Sequence, residues 1–169
     1  MLSFKSDTDS TLKRSLMDLL IDGATVITCK GKTFLEGAVA VEGQRIVDVG
    51  KSSDLRRKYG RGYERIDGKG RVVIPGFVNT HQHAAMSLLR GYADDLPLQE
   101  WLEKWIWPIQ KHMSPHDICV GAILTAAESI MSGTTTVNTM YHYSAEENEA
   151  KAFADAGLRG VVGHVCFSW

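Results

Sequence analysis

Short runs of alternating apolar and polar residues, separated by glycine, fill the early part of the chain. Across residues 19–49 they read LLIDGATVITCK, FLEGAVAVEGQ and RIVDVG, a pattern that is typical of short β-strands. Turns are expected at Gly31, Gly37 and Gly43, because glycine permits the backbone angles that tight turns need. Residues 1–16 are polar and charged and form an expected leader. The pattern after this leader predicts a compact β-meander.

Helical and extended patterns alternate further along. A short charged helix is expected at residues 54–56, and the β-branched run at residues 72–74 indicates a strand. Ser114 is placed to cap a helix that starts with Pro115, and Gly133 should end it. Apolar residues recur at the helical period along this helix, at Ile118, Ala122, Ala126 and Ile130.

A second helix-strand step follows. Residues 134–137 are β-branched and predict a strand, and Ser144 with Glu147 has the spacing of a capping box for the next helix. The inner face of that helix is predicted to contain Ala150, Phe153 and Ala154. The glutamates near its start are expected to be solvated, and they are Glu146, Glu147 and Glu149. After Gly157, the run LRGVVGHVCF predicts a strand parallel to the previous one.

These steps predict the opening of a parallel α/β sheet with about three strands. A closed (β/α)8 barrel needs roughly 250 residues, and an open three-stranded parallel sheet leaves edges that natural proteins avoid. We therefore expect the chain to be cut off within a domain.

Composition excludes several classes of protein. The chain has 169 residues, 44% of them hydrophobic and 23% charged, with 19 basic and 20 acidic side chains. Such a chain can bury a core, and a net charge of −1 offers no basic surface to nucleic acid or to an anionic membrane. No apolar run approaches the roughly 20 residues of a spanning helix, and the start lacks a secretion signal. We therefore expect a cytoplasmic protein whose partner is a small molecule.

The strongest chemical signal is the pair His81 and His83 at the end of VVIPGFVNTHQH. Alternate side chains of a strand project to the same side, so both imidazoles can converge on one ion. A catalytic zinc ion uses about three protein ligands and an open position for water, and neutral imidazole suits it. By itself, this spacing fits a metal site and a polar strand end about equally well.

The surrounding string IPGFVNTHQHAAMSLLRGYADDLPLQEWLEKWIWP, at residues 74–108, resembles the amidohydrolase superfamily. Within it, the similarity is to the branch of 5-methylthioadenosine/S-adenosylhomocysteine deaminases and triazine hydrolases. The resemblance implies an α/β fold: about the first three strands of a TIM-type (β/α)8 barrel, preceded by part of a small β-sandwich. The implied division is a leader at 1–16, part of the sandwich at 17–71 and the truncated hydrolase barrel at 72–169.

The resemblance implies that His81 and His83 are ligands of one divalent metal ion on the first barrel strand. Zinc is expected, while iron, nickel and manganese stay open. The family's other active-site residues are a later His-x-x-Glu, a further histidine and a late Asp, and they would lie beyond Trp169. The catalytic residues are thus expected outside this chain, which alone should be inactive. The rest of the barrel would come from missing chain or a partner, and a homo-oligomer stays open.

Two substrate-binding residues are implied less firmly. Trp101 matches an aromatic residue of the nucleobase pocket in the deaminases, and it fits the apolar stripe of an amphipathic helix equally well. Trp105 and Trp107 are expected to pack in the core. The adenosine-type deaminases carry a glutamate where this chain has Gln110. An amide has one accepting oxygen and no charge, so this departure weakens a nucleoside assignment and is more like the triazine chlorohydrolases.

Several functions follow from this. The preferred one is the N-terminal portion of a metal-dependent aminohydrolase that deaminates an adenine nucleoside with metal-activated water. If the metal-activated water instead attacks a triazine-like heterocycle, the enzyme would be a chlorohydrolase or an alkylaminohydrolase. A different class is a non-catalytic truncated product that needs a partner chain. A remote alternative is a complete metal site within this chain, formed by His81, His83, His142 and His164.

Overall fold

The structure is a computed structural model that describes residues 18–141 and 146–164. The chain divides into two compact units, with the boundary between Pro75 and Gly76. The expected leader at residues 1–16 lies outside the described residues. Within the described part of the chain, none of the helices has the length and apolar character needed to span a membrane.

The first unit is built on a five-stranded mixed sheet. Its elements are β1 (Leu19–Ile27), β2 (Thr33–Glu42), β3 (Arg45–Lys51), α1 (Ser52–Tyr59), β4 (Glu64–Asp67) and β5 (Val72–Val73). The strand order is β3-β2-β1-β4, and β5 also pairs with β1. Strands β1, β2 and β3 form the predicted antiparallel meander, whereas β4 and β5 run parallel to β1.

Gly37 does not form a turn, contrary to the sequence prediction. It lies inside β2, where an added Cβ would come 2.7 Å from Cγ2 of Val26 on the neighbouring strand. The β1–β2 register shifts beside its partner Ala24, so the two strands approach closely at this point. Gly31 and Gly43 do occupy turns with positive φ angles of 79° and 56°.

The second unit is a parallel sheet with the order β6-β7-β8. Its strands are β6 (Phe77–Gln82), β7 (Thr134–Tyr141) and β8 (Arg159–His164). Between β6 and β7 lie a 3-10 helix (Ala84–Leu89), α2 (Leu98–Glu100), a π-helical stretch (Trp101–Ile106), α3 (Trp107–Gln110) and α4 (Pro115–Met131). Helix α5 (Glu146–Ala156) connects β7 to β8. The predicted alternation of helices and parallel strands is confirmed.

Helix α4 begins as the sequence predicts. Ser114 Oγ accepts a hydrogen bond from the Asp117 backbone N–H at 3.2 Å, and the Asp117 carboxylate accepts one from the Ser114 N–H at 2.8 Å. This reciprocal arrangement is a capping box. The predicted apolar stripe is buried at Ile118, Ala122 and Ala126, whereas Ile130 is 49% exposed.

Helix α5 buries a different face from the predicted one. Ala150 and Ala154 are exposed, whereas Ala152 and Phe153 are buried. Alanine occurs at every second position from 150 to 156, so the apolar pattern does not select one face of this helix. The predicted cap at Ser144 lies outside the described residues.

Asp22 on β1 has no exposed surface, and two arginines neutralise it. Arg56 donates hydrogen bonds from Nε and Nη2 to the two carboxylate oxygens at 3.0 and 3.2 Å, and Arg65 Nη2 lies 2.5 Å from Oδ2. Burial alone would raise the pKa of the Asp22 carboxyl. Hydrogen bonds from Ser52 and Arg56, together with the charges of both arginines, outweigh burial and hold that pKa below its usual value.

Replacing Asp22 with asparagine should therefore destabilise the first unit in a pH-dependent way. At pH 7 we expect the free energy of unfolding to fall by about 2 kcal/mol, because Arg56 and Arg65 lose their anion. The folded-state pKa lies below the unfolded value near 4, so the wild type loses this stabilisation as the pH falls from about 5 through the folded-state value. Urea denaturation at pH 7 and pH 3 measures the difference.

The matched control is Asp54→Asn, which removes an exposed carboxylate 3.6 Å from Arg57 on α1. This change should alter the free energy of unfolding by less than about 0.5 kcal/mol at either pH. If the difference in the free energy of unfolding between wild type and Asp22→Asn is the same at both pH values, the prediction is contradicted.

Candidate functional site

His81 and His83 lie side by side at the end of β6. Their ring centroids are 5.1 Å apart, and the ring planes meet at 83°. Two imidazoles bound through nitrogen to one tetrahedral zinc ion, at about 2.1 Å each, would place their centroids about 5 Å apart. His81 is exposed and His83 is half-buried. The separation of the two rings is therefore compatible with two positions of a zinc coordination sphere.

A backbone contact fixes the orientation of the His83 ring. Its Nδ1 atom lies 3.1 Å from the carbonyl oxygen of Met140 on β7. A carbonyl can only accept, so Nδ1 carries the proton of this hydrogen bond and Nε2 of the neutral ring keeps its lone pair. Metal-binding histidines are commonly oriented in this way by a carbonyl or carboxylate on the other ring nitrogen.

Two asparagines stabilise the strand where the histidines emerge. The β6–β7 register shifts by one residue between Asn79 and Gln82, and such a shift leaves backbone groups without partners in the ladder. The Asn79 side-chain oxygen accepts from the His81 N–H at 3.2 Å, and Asn138 Nδ2 donates to the Thr80 carbonyl at 3.0 Å. These amides therefore satisfy both the C=O and the N–H of the peptide bond between Thr80 and His81.

Buried polar side chains hold the turn that follows His83. Thr139 Oγ1 accepts from the Ala84 N–H at 3.1 Å and donates to Glu149 Oε2 at 3.3 Å, while Glu149 Oε1 accepts from the Ala85 N–H at 3.0 Å. Thr139 is 1% exposed and Glu149 is 0% exposed. The expectation of a solvated Glu149 is therefore wrong, because this carboxylate satisfies a backbone donor inside the unit.

Small residues bring helix α4 against the same turn. An added Cβ at Gly121 would come 2.5 Å from the Ala85 carbonyl oxygen, so this close approach requires glycine. Ser87 Oγ donates to the Gly121 carbonyl at 2.7 Å, and Thr125 Oγ1 donates to the Ala84 carbonyl at 2.9 Å. The turn is thus fixed from α4 as well as from β7 and α5.

His83 and Trp101 line one cavity of about 650 Å³, together with Asn79 and Gln82. Trp101 is half-buried and begins the π-helical stretch. Such stretches are rare and occur frequently at functional sites. The structure therefore brings a predicted metal ligand and a predicted substrate contact to the same concave surface.

Gln110 lies elsewhere and has an unusual environment. Its side chain is 1% exposed and is not among the residues that line the cavity of His83 and Trp101. Neither its Oε1 nor its Nε2 atom has a hydrogen-bond partner in the part of the chain that the structure describes. A buried carboxamide without partners costs free energy, so Gln110 stands out as a group that another molecule or chain segment could satisfy.

Trp105 does not pack in the core, contrary to expectation. It is 40% exposed and meets Tyr92 edge to face, with ring centroids 5.9 Å apart. Ile106 takes the buried position instead, because the π-helical stretch shifts the face that points inward.

The histidine pair alone would be an incomplete coordination sphere for a metal ion. Within residues 18–141 and 146–164, no three His, Cys, Asp or Glu side chains are grouped so that they could hold a metal ion. His142 and the side chain of His164 lie outside what the structure describes, so the four-histidine site stays a prediction.

Comparisons with known proteins identify the family of this chain. The profile of the amidohydrolase family matches residues 72–169, and that of the bacterial imidazolonepropionase-like composite domain matches residues 37–60. The 5-methylthioadenosine/S-adenosylhomocysteine deaminase of Pelotomaculum thermopropionicum is 43% identical over 146 residues, which cover 85% of this chain and 33% of that protein.

Two solved structures are similar as well. An adenosine deaminase from Xanthomonas campestris with bound zinc has 35% identity and a TM-score of 0.70, over 86% of this chain and 33% of that one. The zinc complex of atrazine chlorohydrolase from Arthrobacter aurescens has 26% identity and a TM-score of 0.75, over 86% of this chain and 35% of that one. The chain thus spans about a third of the length of these relatives. Because the family profile covers more than half of its residues, this chain belongs to the amidohydrolase family.

Proposed function

We propose that this chain is the N-terminal portion of a metal-dependent aminohydrolase that deaminates adenine nucleosides of the 5-methylthioadenosine/S-adenosylhomocysteine type. The observation that carries the proposal is the pair His81 and His83, with the His83 ring oriented by the Met140 carbonyl. Relatives with 41–44% identity that are named as deaminases of 5-methylthioadenosine/S-adenosylhomocysteine or 5'-deoxyadenosine support the substrate class.

The proposed architecture divides the chain as the resemblance implied. Residues 17–71 form part of a small β-sandwich, residues 72–169 form the first part of a (β/α)8 barrel, and residues 1–16 precede them as a leader. At this boundary, Val72 and Val73 pair with β1 of the first unit, so the barrel sheet itself begins with β6. The parallel order β6-β7-β8, with α4 and α5 as connections, supports the barrel assignment. The remaining strands come from further chain or from a partner polypeptide.

His81 and His83 would hold one divalent ion, with zinc as the expected metal, as in the two similar zinc-bound structures. A bound divalent ion lowers the pKa of water, so that water can attack an electrophilic carbon near neutral pH. The role of this chain is to present two neutral imidazole nitrogens from a strand of fixed register. The proton-transferring residues lie outside this chain.

Trp101 and Gln110 are the proposed substrate contacts. Trp101 shares its cavity with His83 and offers a flat aromatic surface to a nucleobase or another heterocycle. Gln110 offers one acceptor and two donors, which have no partner among the described residues.

A second candidate within the same chemistry is a chlorohydrolase or alkylaminohydrolase that acts on a triazine-like heterocycle. Gln110 favours it, because an uncharged amide holds ribose hydroxyl groups less strongly than a carboxylate does. The similarity to atrazine chlorohydrolase also supports it. A non-catalytic product that needs a partner chain is the remaining alternative, and the reading frame beyond the Trp169 codon separates it from both enzymes.

The metal assignment predicts the behaviour of histidine variants. In the full natural polypeptide that contains this chain, His81→Ala and His83→Ala should each weaken zinc binding by at least about 100-fold and abolish deamination, because each removes a ligand. Chelator competition measures the affinity, and ammonia release from 5-methylthioadenosine measures the activity.

His116→Ala is the matched control, since His116 is exposed in the first turn of α4. It should bind zinc and deaminate like the wild type. Normal zinc affinity in His81→Ala or His83→Ala would reject the metal site. A wild-type polypeptide that is inactive on 5-methylthioadenosine, S-adenosylhomocysteine and a chlorotriazine would reject both enzymatic candidates.

The assignment of Gln110 predicts a change in substrate preference. Gln110→Glu should raise kcat/KM for 5-methylthioadenosine relative to a chlorotriazine by about tenfold, because a carboxylate makes stronger hydrogen bonds to hydroxyl groups. Gln44→Glu introduces the same charge at an exposed turn and should leave the ratio unchanged. An unaltered ratio in folded Gln110→Glu would remove Gln110 from the substrate site.

A further inference from the structure

Glu149 is a fully buried carboxylate that the proposed chemistry does not use. It lies in the first half of α5, and its two oxygens contact the Ala85 N–H and the Thr139 hydroxyl. Burying a carboxylate costs several kcal/mol unless hydrogen bonds offset the loss of water. An apolar side chain would fill the same space without that cost, so the position of the carboxylate calls for a specific reason.

The reason lies in the backbone that Glu149 and Thr139 bind. Ala84 and Ala85 are the first two residues of the 3-10 helix, and the N–H groups at a helix start have no partner within the helix. The N-cap residue of this helix is His83, and its side chain makes no capping hydrogen bond. Thr139 and Glu149 bind these two N–H groups instead.

Because other residues cap this helix, the side chain of His83 does not have to do so. A serine or aspartate at an N-cap turns its side chain back onto the helix, and a histidine that did so could not face a metal ion. Because the cap comes from β7 and α5, the imidazole of His83 instead bonds Met140 through Nδ1 and keeps Nε2 available.

We propose that Glu149 and Thr139 are positioning residues for the metal site. They cap the helix that follows His83, and through it they set the direction in which the imidazole leaves the strand. The inference rests on the proposed metal-binding function of His81 and His83. Thr139 and Glu149 bind the backbone N–H groups of Ala84 and Ala85, and their effect on the metal site would be transmitted through that backbone.

Two variants of nearly unchanged volume test the proposal in the full natural polypeptide. Glu149→Gln replaces one accepting oxygen with an NH2 group, so either the Ala85 N–H or the Thr139 hydroxyl proton loses its acceptor, and the hydrogen-bond network of the cap is broken in either orientation of the amide. Thr139→Val removes the hydroxyl altogether. We expect each to weaken zinc binding by about tenfold, the lower end for residues that orient metal ligands. Thr139→Ser restores the hydroxyl and should return the affinity to within about threefold of wild type.

The matched controls lie on α5 and β7, the elements that carry Glu149 and Thr139. Asp155→Asn removes an exposed carboxylate of α5 that pairs with Lys151, and Thr136→Val removes a hydroxyl of β7 that accepts from Arg159. Both should bind zinc like the wild type. Chelator competition gives the zinc affinity, and the visible absorption bands of the cobalt-substituted protein report ligand geometry independently of activity.

The outcomes separate this proposal from the function it rests on. Weaker zinc binding and altered cobalt bands in folded Glu149→Gln and Thr139→Val, with rescue by Thr139→Ser, support positioning. Wild-type zinc affinity and wild-type bands in either variant overturn it while leaving the metal site intact. If one variant fails to fold, the other decides by the same criteria, and failure of both to fold overturns the positioning role in favour of a structural one. Absence of zinc binding in the wild type overturns the proposed function and this inference with it.

Discussion

The hydrogen bond between His83 Nδ1 and the Met140 carbonyl determines which nitrogen of this imidazole is free to bind another group. The Nδ1 atom of His83 is bound to the Met140 carbonyl, which leaves Nε2 as the nitrogen with a lone pair. The ring can keep this orientation only while β6 and β7 keep their register. That register contains a one-residue shift beside His81, where side chains of Asn79 and Asn138 bind the peptide group between Thr80 and His81. The histidine pair thus depends on two amides that bind the backbone next to it.

The polar side chains around the turn after His83 fix the conformation of its backbone more than they add to the net stability of the fold. A buried hydrogen bond adds only about 1 kcal/mol, and a buried carboxylate costs more to place there than an apolar side chain would. Hydrogen bonds are directional, however, and apolar contacts are not. Thr139 and Glu149 therefore fix the directions of the Ala84 and Ala85 N–H groups, while Gly121 allows α4 to close against the same backbone.

The elements with local signals could be predicted from the sequence, whereas those set by distant partners could not. The start of α4 is encoded within four residues by its capping box, and the histidine pair follows from the two-residue period of a strand. Gly37 looks like a turn glycine, and only its contact with Val26 across β1 and β2 shows why it is small. Glu149 is 64 residues from Ala85. The sequence does contain one indication that Glu149 is buried. It stands four positions before Phe153, so the two residues share the buried face of α5.

If His81 and His83 hold a metal ion as proposed, their fixed positions change what the remaining donors of the site must supply. In a flexible chain, each additional ligand costs conformational entropy when the ion binds. His81 lies in β6 and His83 directly follows the strand, and the centroids of the two rings are already 5.1 Å apart, close to the separation of two imidazoles on one zinc ion. The conformational entropy of these two side chains is therefore lost when the chain folds, and it does not have to be lost again when an ion binds. The capped turn that follows His83 lowers this entropy cost further. It restricts the backbone to one conformation, so the imidazole does not have to be ordered when the ion binds.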